Sequence, residues 1–372
     1  MKSPTLRLGA LPPIQVSPGT LVTVAVFALM LYPSFSDGSG TFSAAAALPA
    51  LGIALFLVLS VLIHEVGHAV SARAFGATVD HIALTLWGGH TQYTGRPMSA
   101  PASIVISLSG PVSNLALAAL ATAAGTLTEA GSTADVFWYL CSRLNLALAL
   151  FNLLPGLPMD GGRALESLLG GVLRNPLLGT RVTAWIGRGI AVLVVLIPLR
   201  WILQSEGAGT FLLLALLWAM LIAGMLWQGA SRALGAATLQ SRIDALDARS
   251  LARPLRLVGP QQMLSDLGPA SELDALLVLD QRIARPGVVG HVLRIQPAAA
   301  AAVPDGERSR TPVSAVAAPV GEMGALQASL RGDDLVSAIL ARPFPLYLVL
   351  EDSGRALGVI LSDEINGLLR GR

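Results

Sequence analysis

Ile63-His64-Glu65-Val66-Gly67-His68 lies in a long apolar run and carries three ionisable side chains. His64 and His68 are four residues apart, so on a helix they share one face, where two imidazoles can hold one zinc ion. Glu65 between them can act as general base on a zinc-bound water. Ionisable residues are costly to bury in a membrane-spanning segment, so their presence there indicates function. The alternative interpretation is a chance match to a short pattern on a polar helix.

The composition of the chain is that of a membrane protein. Of its 372 residues, 53% are hydrophobic and only 13% are charged, whereas soluble domains carry roughly 25% charged residues. Residues 241–372 contain 14 Arg and 15 Asp/Glu, while residues 1–240 contain 11 Lys/Arg and 8 Asp/Glu. This uneven distribution predicts a transmembrane domain over 1–240 and a soluble domain over 241–372.

The charge and the cysteine content narrow the function classes. The net charge of +2 is small and no basic cluster indicates a nucleic-acid partner. The single cysteine, Cys141, can form no intramolecular disulfide and is expected to pack as a small hydrophobe. Lysine occurs once among 25 basic residues, and Ala and Gly are abundant, which is typical of a GC-rich bacterial genome.

Six apolar segments are candidates for membrane helices, each of which needs about 20 apolar residues. They cover about 20–35, 47–74, 97–128, 135–154, 185–204 and 207–231. The first has a signal peptide as its alternative, but no small-residue cleavage pattern stands out and more spans follow. The predicted fold is a polytopic α-helical membrane protein of about six transmembrane helices, with a short amphipathic helix over 161–175.

A β-rich, membrane-associated segment is predicted between the second and third spans. Thr78–Trp87 is rich in strand-forming residues, Gly88-Gly89 is typical of a turn, and Thr91–Thr94 would form the return strand. The unpaired edge of such a hairpin could pair with an extended peptide, which is how many proteases hold substrates. A simple connecting loop is the alternative.

The basic residues predict the orientation in the cell membrane. Six spans place both termini on one side, and the basic residues near span ends on that side are Lys2, Arg7, Arg73, Arg96, Arg163, Arg174, Arg181 and Arg232. The opposite flanks carry Asp37, Glu129, Asp135 and Glu206. The positive-inside rule then places the termini and the zinc motif toward the cytoplasm.

A catalytic zinc usually takes three protein ligands and a water, so His64 and His68 need one more partner. The candidates are His81, His90, His291 and Asp160. The last of these histidines belongs to the soluble tail, and the other two lie close in sequence to the motif. Asp160 follows a Pro/Gly break at the end of the fourth span, and the topology brings it to the membrane side of His64. Its alternative role is to cap a helix that begins at Gly161.

Three linked motifs resemble the site-2 protease family of intramembrane zinc metalloproteases. They are His64-Glu65-Val66-Gly67-His68, then Gly110-Pro111 with Asn114, then Asn152-Leu153-Leu154-Pro155 with Pro158, Asp160 and Gly161. Their order, approximate separation and membrane context agree with the family pattern over about residues 20–230.

The resemblance implies a zinc metalloendopeptidase with Zn²⁺ held by His64, His68 and Asp160, and with Glu65 as catalytic base. It also implies that Asn152 acts near the substrate or the oxyanion. The expected activity is regulated intramembrane proteolysis of a single-pass membrane protein, for example an anti-sigma factor. The alternative is a non-proteolytic metal-binding scaffold or a metal transporter. A transporter should have polar residues spread through several spans, whereas here they concentrate at one end of two.

The tail, 241–372, is predicted to contain two α/β units. One strand pair covers 276–279 and 287–293. The other covers 345–350 and 357–361 and leads into a helix. The Ala/Pro-rich stretch Pro297–Pro319 between them is expected to be a linker or partly disordered.

The tail resembles a tandem of cystathionine-β-synthase-type (CBS) domains, which often bind adenine nucleotides. The usual ending Gly-φ-φ-Thr-x-x-Asp has Leu361 and Glu364 at its hydroxyl and acidic positions here, and the first copy has Leu293 and Gln296. These departures argue against nucleotide binding. They favour a regulatory packing module, which could pair two copies of the chain into a homodimer.

Overall fold

The structure is a computed structural model that describes residues 4–7, 9, 11–36, 42–85, 88–95, 98–204, 209–254, 256–267, 276–281 and 288–371. The chain divides into two compact units, Met1–Ala237 and Thr238–Arg372. This division does not test the roles predicted for the two parts of the chain, which remain predictions.

Helices dominate the first unit. Their bounds are α1 Pro18–Leu31, α2 Ala44–Ala74, α3 Ala100–Gly125, α4 Thr133–Asn152, α5 Asp160–Val172, α6 Pro176–Gln204 and α7 Thr210–Asp244, which leads out of the unit. Of the described helices, five are long and apolar enough to cross a membrane, namely α2, α3, α4, α6 and α7. The predicted polytopic α-helical membrane fold is confirmed, and α5 is the predicted short helix.

The first predicted span is shorter than expected. Helix α1 has 14 residues, or about 21 Å at about 1.5 Å per residue, which is too short to cross a bilayer alone. Ser43 N, at the start of α2, donates to the Tyr32 hydroxyl at 2.9 Å, just beyond the end of α1. At the other end of α1, Ser17 N donates to Leu84 O at 2.9 Å. The segment therefore runs between the β-sheet and the start of α2, and the 3-10 turn Tyr32–Ser34 lengthens its helical part.

The predicted hairpin is present and belongs to a larger sheet. The strands are β1 Thr5–Leu6, β2 Ile14–Val16, β3 Thr78–Thr85 and β4 Gly88–Thr94, in the order β1-β2-β3-β4. Strands β3 and β4 are antiparallel, so the simple-loop alternative is wrong. The turn predicted at Gly88-Gly89 is also wrong, because these glycines pair with Thr85 and Leu84 inside the ladder. The connection falls at 86–87, outside the described residues.

The sheet packs along α2 instead of projecting from it. Helix α2 ends before Gly76, whose φ of +87° gives the left-handed turn that often follows a helix. Strand β3 then runs back, and Ile82 and Val79 share a buried cluster with Ala69 and Ala72 of α2. This packing places the far end of the hairpin beside the motif that contains Glu65.

The second unit is built on one six-stranded sheet. Its strands are β5 Arg256–Val258, β6 Leu276–Asp280, β7 Val288–Ile295, β8 Ala317–Gln327, β9 Leu346–Leu350 and β10 Ala356–Leu361, in the order β10-β9-β8-β7-β6-β5. Its helices are α8 Ala248–Leu251, α9 Pro297–Ala301, α10 Gly332–Ala341 and α11 Ser362–Arg370. Strand β6 pairs in parallel with β5 and antiparallel with β7, and β9 repeats this pattern with β8 and β10. The predicted α/β tail with two strand pairs is confirmed.

The linker predicted over Pro297–Pro319 is wrong. It contains α9 and two short 3-10 turns, and it ends in the central strand β8. Ala300 and Val313 are buried in one hydrophobic cluster with Val278 and Leu264. A few buried apolar side chains among many alanines are therefore enough to order this stretch.

Candidate metal centre and active site

Two distant parts of the chain meet at a small buried cluster. His64 and His68 lie one turn apart in α2, and Asp160 is the first residue of α5. The His64 and His68 Nε2 atoms are 3.1 Å apart, and Asp160 Oδ2 lies 3.0 Å from the first and 3.3 Å from the second. Among the described residues this is the one group of three or more His, Cys, Asp or Glu side chains that could hold a metal ion.

The cluster fits a zinc ion. Ligand atoms of a tetrahedral zinc with bonds of about 2.0–2.1 Å are separated by about 3.3 Å, close to the three distances between these atoms. The alternative role of Asp160 as a helix cap is not supported, because Met159 occupies the cap position and makes no side-chain cap hydrogen bond. His81 and His90 lie on the hairpin, and His291 lies on β7 of the second unit. None of the three joins the cluster.

Each histidine is oriented by a hydrogen bond at its other nitrogen. His64 Nδ1 lies 2.6 Å from Asn114 Oδ1, and His68 Nδ1 lies 2.7 Å from the carbonyl oxygen of Ile106. Both acceptors require a proton on Nδ1, which leaves the Nε2 lone pair for a metal; the tautomer is assigned from these partners. Asn114 in turn donates to Asn145 Oδ1 at 3.0 Å. Asn114 belongs to one of the sequence motifs, but Asn145 was not identified from the sequence. An amide side chain within an apolar span is a signal of function that could have found it, and in the structure Asn145 is fully buried.

The third ligand atom belongs to an ionised carboxylate. Asp160 lies between the spans α4 and α6. Burial raises the pKa of its carboxyl, but when no metal is bound the hydrogen bonds and positive charges of protonated His64 and His68 outweigh burial and lower the pKa to about 2. Metal ligands must be deprotonated, so Asp160 has the protonation state that a metal site requires.

Glycines let the elements of the site approach closely. A Cβ at Gly110 of α3 would lie 2.5 Å from Nε2 of both His64 and His68. A Cβ at Gly67 of α2 would lie 2.9 Å from the carbonyl oxygen of Ser109. Helix α3 therefore runs directly against the metal-facing side of α2, which only residues without side chains allow.

The loop before Asp160 is fixed by contacts with α5, α6 and α7. Leu157 N donates to Thr183 O at 3.2 Å. A Cβ at Gly187 would overlap the Leu157 carbonyl oxygen, and one at Gly229 would lie 2.5 Å from Pro158 Cγ. These contacts set the position of the loop and with it the position of the carboxylate.

Glu65 contacts the hairpin and not the ligand cluster. Its side chain is buried, and Oε2 accepts a hydrogen bond of 2.7 Å from the Thr91 hydroxyl of β4. The sequence did not identify Thr91, because no catalytic motif contains it.

A cavity of roughly 330 Å³ opens at the cluster. Its polar lining includes the three potential ligands, Glu65 and Asn152, and its apolar lining includes Val61, Leu148 and Phe151. Asn152 is the last residue of α4 and is half-buried, and its side chain makes no hydrogen bond to any residue that the structure describes. Arg163 of α5 adds one exposed cation to the lining.

Helices that can cross a membrane, together with this buried His-His-Asp cluster and its neighbouring carboxylate, define a membrane protein with an enclosed metal-binding site. The chain matches the model of peptidase family M50 over residues 52–132 and 126–196. It is 32% identical over 201 residues to a putative zinc metalloprotease of Synechocystis sp., covering 54% of this chain and 52% of that one. It is 30% identical over 150 residues to the putative zinc metalloprotease YwhC of Bacillus subtilis, covering 32% of this chain and 68% of that one. The chain belongs to peptidase family M50 and is a multi-pass membrane protein.

Similarity to solved structures is weaker. The site-2 protease from Methanocaldococcus jannaschii has 24% sequence identity and a TM-score of 0.44, covering 62% of this chain and 95% of that one. The CBS domain of a bacterial CNNM/CorC family Mg²⁺ transporter has 12% identity and a TM-score of 0.25, covering 41% of this chain and 93% of that one. The chain matches about half the length of the Synechocystis relative.

Proposed function

We propose that this protein is an intramembrane zinc metalloprotease that hydrolyses a peptide bond within or near the transmembrane segment of a membrane protein. The observation that carries the proposal is the convergence of three potential ligand atoms within 4.8 Å of one another in a cavity that also contains Glu65. His64, His68 and Asp160 would hold the zinc, and Glu65 would act as base. Family membership supports this role.

The proposed mechanism assigns one task to each residue. When bound, zinc would lower the pKa of water toward about 7 and polarise the scissile carbonyl. Glu65 takes the proton of the attacking water and returns it to the leaving amine, as a general base and then a general acid. Asn152, at the cavity wall, is proposed to donate a hydrogen bond to the substrate carbonyl oxygen as negative charge develops on it. Leu148 and Phe151 give the cavity an apolar wall beside the reacting groups.

The proposed substrate is an extended segment of a single-pass membrane protein. Carbonyls of an intact substrate helix are tied up in internal hydrogen bonds, so the segment must unwind before attack. In a bilayer an unwound backbone needs new hydrogen-bond partners. Strand β4 lies at the end of its sheet and could supply them by pairing. An anti-sigma factor is one substrate of this kind.

A metal transporter or a non-proteolytic metal scaffold is the competing proposal. A transporter needs polar groups that continue across the membrane. Here the described potential ligands form one cluster at a single level. A carboxylate beside the cluster, held by a hydrogen bond and outside the ligand set, favours hydrolysis.

Removal and return of zinc tests the proposal. The purified full chain in detergent is expected to contain about one zinc per chain and to cleave a membrane-anchored reporter. Stripping the metal with a chelator should abolish cleavage, and added zinc should restore it. The control is Asp135→Asn, which changes a half-buried acid in the first turn of α4, at the opposite end of that helix from Asn152. Cleavage that survives complete removal of metal would contradict the proposal, and zinc flux into proteoliposomes without cleavage would favour the transporter.

We also propose that both termini and the metal centre face the cytoplasm and that the tail is a packing or dimerisation module. Of the charges that support this orientation, Lys2, Arg96, Asp37 and Glu206 lie outside the described residues. In the tail Glu364, at the acidic position of the nucleotide pattern, is paired with Arg253 and so is already engaged. A fluorescent protein fused after residue 372 is expected to fluoresce, because the C-terminus is proposed to face the cytoplasm. Millimolar ATP or AMP is expected to give no binding heat with the full chain. A saturable heat signal would contradict the second expectation.

A further inference from the structure

Strand β4 contacts the proposed base through one side chain. The Thr91 hydroxyl lies 2.7 Å from Glu65 Oε2 and 3.1 Å from the Glu65 backbone oxygen. Glu65 is only 5% exposed, so the hydroxyl replaces a water that the buried carboxylate would otherwise need. A hydroxyl has one proton to donate. The carboxylate oxygen is the nearer of the two acceptors, so the hydroxyl donates its hydrogen bond to the carboxylate.

Gly89 supports the same carboxylate from the same strand. It is two residues before Thr91, so both lie on one face of β4. A Cβ at Gly89 would lie 2.5 Å from Glu65 Cγ and 2.8 Å from Oε1. Strand β4 therefore restricts the carboxylate with a hydrogen bond at Oε2 and with backbone contact along the side chain.

This restriction matters because the terminal torsion of a glutamate is soft. Its carboxylate rotates in broad, roughly two-fold wells, and proton transfer requires one oxygen at hydrogen-bond distance from the water. No described residue donates a hydrogen bond to Oε1. With Oε2 engaged by Thr91, Oε1 is the oxygen available to take the proton.

We propose that Thr91 is a positioning residue that fixes the Glu65 carboxylate for proton transfer, an inference that rests on the proposed protease function. Strand β4 is also the sheet edge at which the substrate segment is proposed to pair. One strand then serves both purposes, so that the position of the base is fixed by the same element that receives the peptide.

The test compares Thr91→Val, Thr91→Ser and, as a control, Thr78→Val in the full chain in detergent. Valine keeps the shape and the β-branching of threonine but removes the donor, so kcat is expected to fall about 10- to 100-fold, with KM and zinc content unchanged. Serine restores the donor and should recover most of kcat. Thr78→Val changes an exposed threonine on the neighbouring strand β3, which is not the proposed substrate edge, and should resemble the wild type.

Two results would overturn the positioning role: Thr91→Val with wild-type kcat, or Thr91→Ser as impaired as Thr91→Val. A double-mutant cycle of Thr91→Val with Glu65→Ala, read by thermal unfolding, measures the contact without any cleavage. A coupling between the two substitutions is expected even in a preparation that cleaves nothing. A wild-type chain without cleavage would count against the protease, whereas additive unfolding effects would count against Thr91.

Discussion

Glu65→Gln is expected to keep zinc bound and to lower cleavage of a membrane-anchored substrate by about 10²- to 10⁴-fold, the usual contribution of a general acid–base residue. Glutamine has the shape of glutamate, and its carbonyl oxygen can still accept the Thr91 hydroxyl hydrogen bond that Glu65 Oε2 accepts at 2.7 Å. What it loses is the ability to take a proton. The measurement is the initial cleavage rate per bound zinc.

The matched control is Glu129→Gln, which changes an exposed glutamate in the loop between α3 and α4 and should leave the rate unchanged. Undiminished cleavage by Glu65→Gln would end the protease proposal. Cells that carry Glu65→Gln can also be used to find the substrate. Membrane proteomes of cells that carry wild type or Glu65→Gln should differ in single-pass proteins, which accumulate uncut when the base is missing.

The local half of the site could be predicted from the sequence because it depends only on helix geometry. His64 and His68 are one turn apart in an apolar segment, and any helix would place them on one face. Asp160 lies 96 residues from His64, so local periodicity does not connect it with the motif. The break at the end of the fourth span and the order of the spans predicted that it lies at the same end of the spans as His64, and the structure places the two side chains 3.0 Å apart. The family pattern then selected it among the candidates.

Other features depend on packing that no local pattern encodes. Thr91 reaches Glu65 only because β3 turns back along α2, and the register of the hairpin shifts between Val79 and His81. The sequence predicted a hairpin but not the direction in which it lies. Likewise β8 was missed because its first three residues belong to the Ala/Pro-rich stretch, although Met323 and Leu326 are buried in the sheet. In both cases the hydrophobic pattern of the strand is weak, so its structure depends on which distant part of the chain packs against it.

Gly110→Ala is expected to abolish zinc binding while leaving the helices intact. The added methyl would lie 2.5 Å from Nε2 of both His64 and His68, in the space between the two nitrogens and α3. It must push the imidazoles aside or occupy the position of the metal. Either effect should weaken zinc by more than the about 10- to 100-fold that is typical of losing a supporting hydrogen bond.

The stability of the metal-free fold should change much less than zinc binding, which makes Gly110→Ala diagnostic. Alanine is favoured over glycine in a helix interior by about 1 kcal/mol, which offsets part of the cost of moving the imidazoles, so metal-free Gly110→Ala should unfold close to the temperature of the metal-free wild type. Gly189→Ala and Gly224→Ala are matched controls, since a Cβ at either glycine meets nothing within 4 Å. Both should keep one zinc per chain and full cleavage. If Gly110→Ala also kept its zinc and its activity, the nitrogens that face Gly110 would not be the metal ligands, and the proposed centre would have to lie elsewhere in the cavity.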